Sequence, residues 1–206
     1  MSGSGANAPR AELAALQIAD PAEAWDAVGF TVSKDGVVVV GGVELWMEAA
    51  GHGITGWTLR RISLHHDVDG LPTGVTTDPP PPETPHLNGA VAIDHVVVTT
   101  PDFDRTSAAL SAAGIPLRRV RDAGGFRQGF RRLGPAILEI VEAPKMPIGP
   151  ARFWGLVVVV ADLAGLRARL APHVGEIREA VQPGRHIATL EKGAGLSPRI
   201  AFMDPE

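Results

Sequence analysis

His95 stands inside an apolar run, Ile93-Asp94-His95-Val96-Val97-Val98-Thr99. An imidazole in such a strand can ligate a metal or exchange a proton near neutral pH. Strand alternation places His95, Val97 and Thr99 on one face and Asp94, Val96 and Val98 on the other. The plainer alternative is a histidine satisfied by a backbone carbonyl in a half-buried sheet. Glu139 lies in Ala136-Ile137-Leu138-Glu139-Ile140-Val141. A carboxylate between aliphatic neighbours is costly to bury unpaired, so it faces solvent, a partner or a cavity. In a closed cavity its pKa would rise, which would suit a general base.

The hairpin before Glu139 turns at Gly134-Pro135. An even-residue turn sets Gln128 opposite Val141, Phe130 opposite Glu139 and Arg132 opposite Ile137. Gln128, Phe130 and Arg132 then share the Glu139 face, whereas a slip of one residue would bring Arg127 and Arg131 there instead. Arginines cluster at Arg118, Arg119, Arg121, Arg127, Arg131 and Arg132. They suit either a ligand bearing carboxylate or phosphate, or a sheet edge kept soluble by charge. Gln182-Pro183-Gly184-Arg185 is a donor-rich turn able to close over a ligand. Trp154 either walls a cleft or packs in the core. His65-His66 with Asp67 and Asp69 has the composition of a metal box but reads as a solvated stretch.

The composition narrows the function classes. With no cysteine, thiolate nucleophiles, thiolate metal sites and disulfides are excluded, and a cytoplasmic location is expected. A net charge of −4 and pI near 6.0 argue against nucleic acid as a partner. Mean hydropathy is +0.09 and the apolar runs, such as Gly155 to Ala161, are far too short to span a bilayer, so no membrane partner is expected. The first ten residues, MSGSGANAPR, lack the apolar core of a signal peptide. Sixteen arginines against three lysines reflect the codon bias of a GC-rich, bacterial genome. There is no phosphate loop, nucleophile elbow, HExxH or Rossmann fingerprint.

The elements that must carry these residues repeat. Ile93–Asp102 and Phe153–Asp162 are each an apolar strand ending in Asp, followed by a helical pattern. Each Asp is a natural N-cap, and Gly114 and Gly175 suit the helix stops. Strands are expected at Pro116–Arg121, Phe126–Leu133 and Ala136–Glu142 in one copy. In the other they fall at Glu176–Val181, Arg185–Glu191 and Arg199–Met203. A fainter copy opens the chain. Its strand is Leu13–Ala19, its helix Ala22–Val28 after the capping box Asp20-Pro21-Ala22-Glu23, and its further strands Phe30–Val32, Gly36–Val40, Val43–Glu48 and Ile54–Ile62. Residues 66–89, with six prolines, read as a spacer. The expected fold is α+β, with paired β-α-β-β-β modules forming a cupped sheet. The expected parts are a degenerate module at 10–65, a Pro-rich linker at 66–89 and a domain at 90–206 made of modules 90–145 and 150–206.

The residues IDHVVVTTPDFDRT at 93–106, ILEIVE at 137–142, FWGLVVVVADL at 153–163 and PRIAFMD at 198–204 resemble the vicinal oxygen chelate superfamily. That superfamily includes glyoxalase I, bleomycin-resistance proteins and extradiol dioxygenases. The resemblance implies a divalent metal ion held by up to four side chains on the first and last strands of each module. It assigns His95 and Glu139 as metal ligands and leaves Gly155 and Ala201 at the matching places of the later module. Superposing the modules sets His186 on Gln128 and Arg185 on Arg127, so that His186 is expected in the same cleft, as a third ligand or a proton carrier.

Two functions are therefore expected. One is a metal-assisted lyase, isomerase or oxygenase acting on a small oxygenated metabolite, with Glu139 and His186 catalytic. Gln128, Phe130, Arg132, Trp154 and Arg185 would contact the substrate. The other is a metal-free small-molecule binding protein of the bleomycin-resistance type. Because modules pair, the spare N-terminal one suggests a homodimer.

Overall fold

The computed structural model describes residues 10–205. The expectation about a leader, apart from Arg10, lies outside the described residues. Two sheets carry the chain. The larger has eight strands in the order β11-β12-β13-β10-β6-β9-β8-β7. Its first module is β6 (Ala90–Thr100), α2 (Phe103–Ala112), β7 (Arg119–Asp122), β8 (Arg127–Leu133) and β9 (Ala136–Glu142). Its second is β10 (Arg152–Val160), α3 (Leu163–Arg169), β11 (Arg178–Glu179), β12 (His186–Thr189) and β13 (Arg199–Met203). In each, the first strand runs parallel to the last, and β6 and β10 join the modules antiparallel. This is the α+β architecture of paired β-α-β-β-β modules.

Local chemistry sets the helix starts. The carboxylates of Asp102 and Asp162 accept from the backbone N–H groups of Arg105 and Gly165 at 3.0 and 2.8 Å, filling donors that the first turn leaves free. Gly114 follows α2 at φ +78°, a left-handed geometry that suits its stop. α3 ends at Arg169, well before Gly175, because Pro172 cannot continue a helix.

The smaller sheet has the order β2-β3-β1-β4-β5. Its strands are β1 (Glu12–Ile18), β2 (Val37–Val40), β3 (Val43–Trp46), β4 (Ile54–Arg60) and β5 (Thr73–Thr76), with α1 at Ala22–Ala27. Phe30–Val32 is not a strand. The Thr31 N–H donates to His86 Nδ1 and its hydroxyl to the Pro85 carbonyl, so this backbone bonds the later loop instead of a ladder. Nor is β4 the last strand of the N-terminal module. It pairs antiparallel with β1 as β10 does with β6, and β5 runs parallel to it as β13 does to β10. Residues 66–89 thus contain β5, and Asp69 anchors them by accepting from Arg105 Nε at 2.7 Å and from the Thr106 hydroxyl. One apolar core runs through both sheets, with Phe30 stacked on Phe202 and Trp57 edge-on to Phe153.

Candidate functional site

The face of the large sheet away from the core carries a cavity of about 710 Å³. His95, Gln128, Phe130, Arg132, Ile137 and Glu139 enter it from the first module. Val157, Ile187, Met203 and the turn at Gln182 and Pro183 close it from the second. The β8–β9 register pairs Gln128 with Val141, Phe130 with Glu139 and Arg132 with Ile137. The even-turn alternative is therefore the one that forms.

Glu139 heads a chain of donors. Gln128 Nε2 donates to its Oε1 at 2.7 Å, and the Gln128 Oε1 accepts from Arg121 Nε at 2.7 Å. Arg121 also lies over the Phe130 ring, 5.3 Å from its centroid. Burial pushes the Glu139 carboxyl above its ordinary value, while the charges of His95 and Arg121 pull it back only in part. The result is a carboxylate held in place, short of solvent and more basic than a surface glutamate.

His95 is 6% exposed and meets the Phe130 ring edge-on at 6.4 Å. Its Nδ1 lies 2.5 Å from Asp94 Oδ2. That oxygen has no aligned hydrogen-bond partner, so the contact is electrostatic rather than a directed bond. Asp94 also takes Arg185 Nη1 at 2.8 Å, and Arg185 spends its Nε and Nη2 on the Asp204 carbonyl. Burial pushes the Asp94 carboxyl up, but His95 and Arg185 outweigh that cost and hold it at about 2. A fixed anion behind Nδ1 favours the proton there and leaves Nε2 as the nitrogen available to the cavity.

Strict alternation set Asp94 on the face opposite His95 and concealed this contact. The β6–β10 pairing slips between Val157 and Val158, so that Asp94 falls in an irregular step of the ladder. The signal that could have found it is an ionisable pair, Asp94-His95, in an otherwise apolar strand.

Other expected residues lie elsewhere. His186 does not line the cavity. Its backbone N–H and Nδ1 both go to the Asp204 carboxylate, at 2.6 and 2.9 Å, and Ile187 takes the inward place. Arg185 is buried and bound to Asp94 rather than open to a ligand. Trp154 borders a separate recess with His52 and Phe153. His65, His66, Asp67 and Asp69 form no metal group, because Asp69 serves Arg105 and Asp67 accepts from the Thr73 backbone N–H.

The implied divalent ion does not fit this donor set. His95 and Glu139 supply two donors from one module. The matching places of the second module hold Gly155 and Ala201, and a Cβ at Gly155 would collide with the Arg199 carbonyl oxygen. With His186 turned to Asp204, no group of three or more His, Asp or Glu able to hold an ion assembles among the described residues.

Residues 90–203 form two β-α-β-β-β modules joined edge to edge through β6 and β10 over an open face. Among solved structures, methylmalonyl-CoA epimerase from Mycobacterium tuberculosis is similar at 15% identity and a TM-score of 0.47, covering 57% of this chain and 90% of that one. The Streptomyces coelicolor methylmalonyl-CoA epimerase in complex with 2-nitronate-propionyl-CoA is similar at 17% identity and a TM-score of 0.44, covering 54% and 95%. A hypothetical protein from Bacillus halodurans has 14% identity and a TM-score of 0.44, covering 55% and 94%. Likeness at this level carries no argument about reaction or substrate. No family model and no curated protein matches the sequence. Among the described residues no helix is long and apolar enough to cross a membrane.

Proposed function

We propose that the protein is an enzyme of lyase or isomerase type that moves a proton on a small oxygenated metabolite. Glu139 is the base. The observation that supports this is its environment: a carboxylate made more basic by burial, steadied by Gln128 and directed into a cavity beside a histidine. Removing a proton from carbon next to a carbonyl requires such a base, and efficiency rises as its pKa approaches the working pH. His95 Nε2, bare when Nδ1 carries the proton, would accept a hydrogen bond from a substrate hydroxyl, with Asp94 fixing the ring. Phe130, Ile137, Val157 and Met203 exclude water around the transferring proton.

The test has two stages. A panel of small oxo and hydroxy acids is screened by melting temperature, since a ligand that binds only the folded state raises it. Those that bind are then incubated with the protein in deuterated water, and carbon-bound deuterium is followed by NMR. Glu139→Gln is expected to lower exchange by about a hundredfold or more while leaving binding within a few fold, the usual size of a general-base contribution. Exchange unaffected by Glu139→Gln would refute the assignment.

A second reading is a binding protein without turnover. Gly155 and Ala201, which supply no donor at the places matching His95 and Glu139, favour it, as do Val157, Ile187 and Met203 in the second wall. Binding in the screen with no deuterium uptake by any ligand would decide for that reading. Elemental analysis with His95→Ala as control separates a metal-assisted variant of the first, since only there does bound metal depend on His95.

A further inference from the structure

We infer that the seam between the N-terminal sheet and β8 is an anion-binding site, built by Arg131 with Arg10 and Arg118, that receives a phosphate or carboxylate group. Arg131 is only 8% exposed, and its Nε has no hydrogen-bond partner. Among the described residues its side chain makes no ion pair. An unpaired buried guanidinium costs free energy, and a counterion removes that cost. Burial and the neighbouring charges of Arg118 and Arg10 all work against the cation, so three positive groups converge without an acid among them.

The other arginines in and under the sheets show that this is a departure. Arg105 has Asp69, Arg127 has Asp104 and Glu142, and Arg185 has Asp94. Buried Arg60 donates its Nε to the Asp78 carbonyl at 2.7 Å. Of the three buried arginines among the described residues, Arg60, Arg131 and Arg185, Arg131 alone has no acceptor. Glu12 at the start of β1 pairs with Arg61 instead. The preceding residues, Met1 to Pro9, contain no Asp or Glu, so they bring no carboxylate side chain either.

The place is reachable. The ladder between β7 and β8 ends at the pair Arg119 and Phe130, so Arg131 stands where the sheet has lost its edge strand. Arg118 and Arg131 both border the large cavity there. Arg131 pairs with Leu138 and so leaves β8 on the face opposite Glu139, while both residues border the large cavity. A guanidinium presents paired donors that match two oxygens of phosphate or carboxylate, and a second arginine adds charge from the side. This inference does not rest on the proposed reaction.

The test is thermal unfolding and calorimetric titration of the full chain with inorganic phosphate, malonate and chloride at one ionic strength. Phosphate or malonate is expected to raise the melting temperature where chloride does not, and which of the two binds tighter identifies the source. Arg131→Met should melt no lower than wild type in chloride and lose the response. Arg118→Gln, on the surface side of the cluster, should weaken binding about tenfold, as loss of one charge-assisted contact predicts. Glu139→Gln should bind the anion as wild type does, so failure here is distinct from failure of the base assignment. Equal effects of all three anions, or an Arg131→Met protein that responds like wild type, would overturn the inference.

Discussion

At the scale of single residues, the site depends on Asp94 staying ionised. Its carboxyl is held at about 2, against an ordinary 3.8. A depressed carboxylate pKa stabilises the fold above the unfolded-state value, and that contribution is lost as pH falls through the folded one. The difference amounts to roughly 2 kcal/mol. Asp94→Asn is therefore expected to cost about that much at pH 7, with the gap to wild type closing between pH 4 and pH 2. Urea unfolding at a series of pH values measures it; a constant gap across that range would show that Asp94 acts through packing rather than charge. Glu139 runs the opposite way, because burial raises its pKa: its ionised form costs stability as pH rises above the unfolded carboxyl value. Which of these residues could be read in the sequence follows from geometry. Gln128, Phe130 and Arg132 share the face of Glu139 because a hairpin with a short turn has few registers. Asp94 escaped because an irregular step in a ladder has no one-dimensional signature. His186 escaped because Asp204, eighteen residues away, competes for its ring.

At the scale of elements, strand–Asp–helix was the readable unit, since an N-cap is satisfied within a few residues of itself. β9 and β13 end where their apolar alternation ends. Segments whose partners are distant in sequence were not readable. Phe30–Val32 has strand composition, yet His86 and the Pro85 carbonyl take its hydrogen bonds. β5, TGVT, lacks apolar alternation and exists because β4 offers it a parallel edge. Gly155 belongs to this scale as well. It holds on β10 the place that His95 holds on β6, and it is fixed by β13, whose Arg199 carbonyl oxygen occupies the space a side chain would need. Gly155→Ala is expected to destabilise by more than 2 kcal/mol, as overpacking against backbone does, whereas Asp162→Ala should cost about 1 kcal/mol, the value of one cap. Denaturant midpoints of the two variants check the order, and an innocuous Gly155→Ala would mean that β13 can move and that a donor could be installed there.

At the scale of the whole molecule, the N-terminal module finds its partner within its own chain. β4 and β5 supply the antiparallel and parallel neighbours that a second module would provide, so the pairing that suggested a homodimer is met internally. A buried acid adds a polar link between the two sheets. Asp20, 4% exposed, accepts from Trp25 Nε1 at 3.0 Å beneath α1 and from the Ser197 backbone N–H in the β12–β13 connection, and the Ser197 hydroxyl in turn accepts from the Gly53 backbone N–H. Asp20→Ala leaves two buried N–H groups without an acceptor, at about 1–3 kcal/mol each. A loss of about 3 kcal/mol is expected. Because the core is continuous from Trp25 through Phe30 to Phe202, the variant should still unfold in a single step. With Trp154 of β10 replaced by Phe, tryptophan fluorescence follows the N-terminal module through Trp25, Trp46 and Trp57, and far-ultraviolet dichroism follows the strands of both sheets. Coincident curves at a lower midpoint are the expected result. Separate transitions in Asp20→Ala would instead make Asp20 the joint that couples two independently folding sheets. The open face around Glu139 would then have to be regarded as the property of residues 90–203 alone.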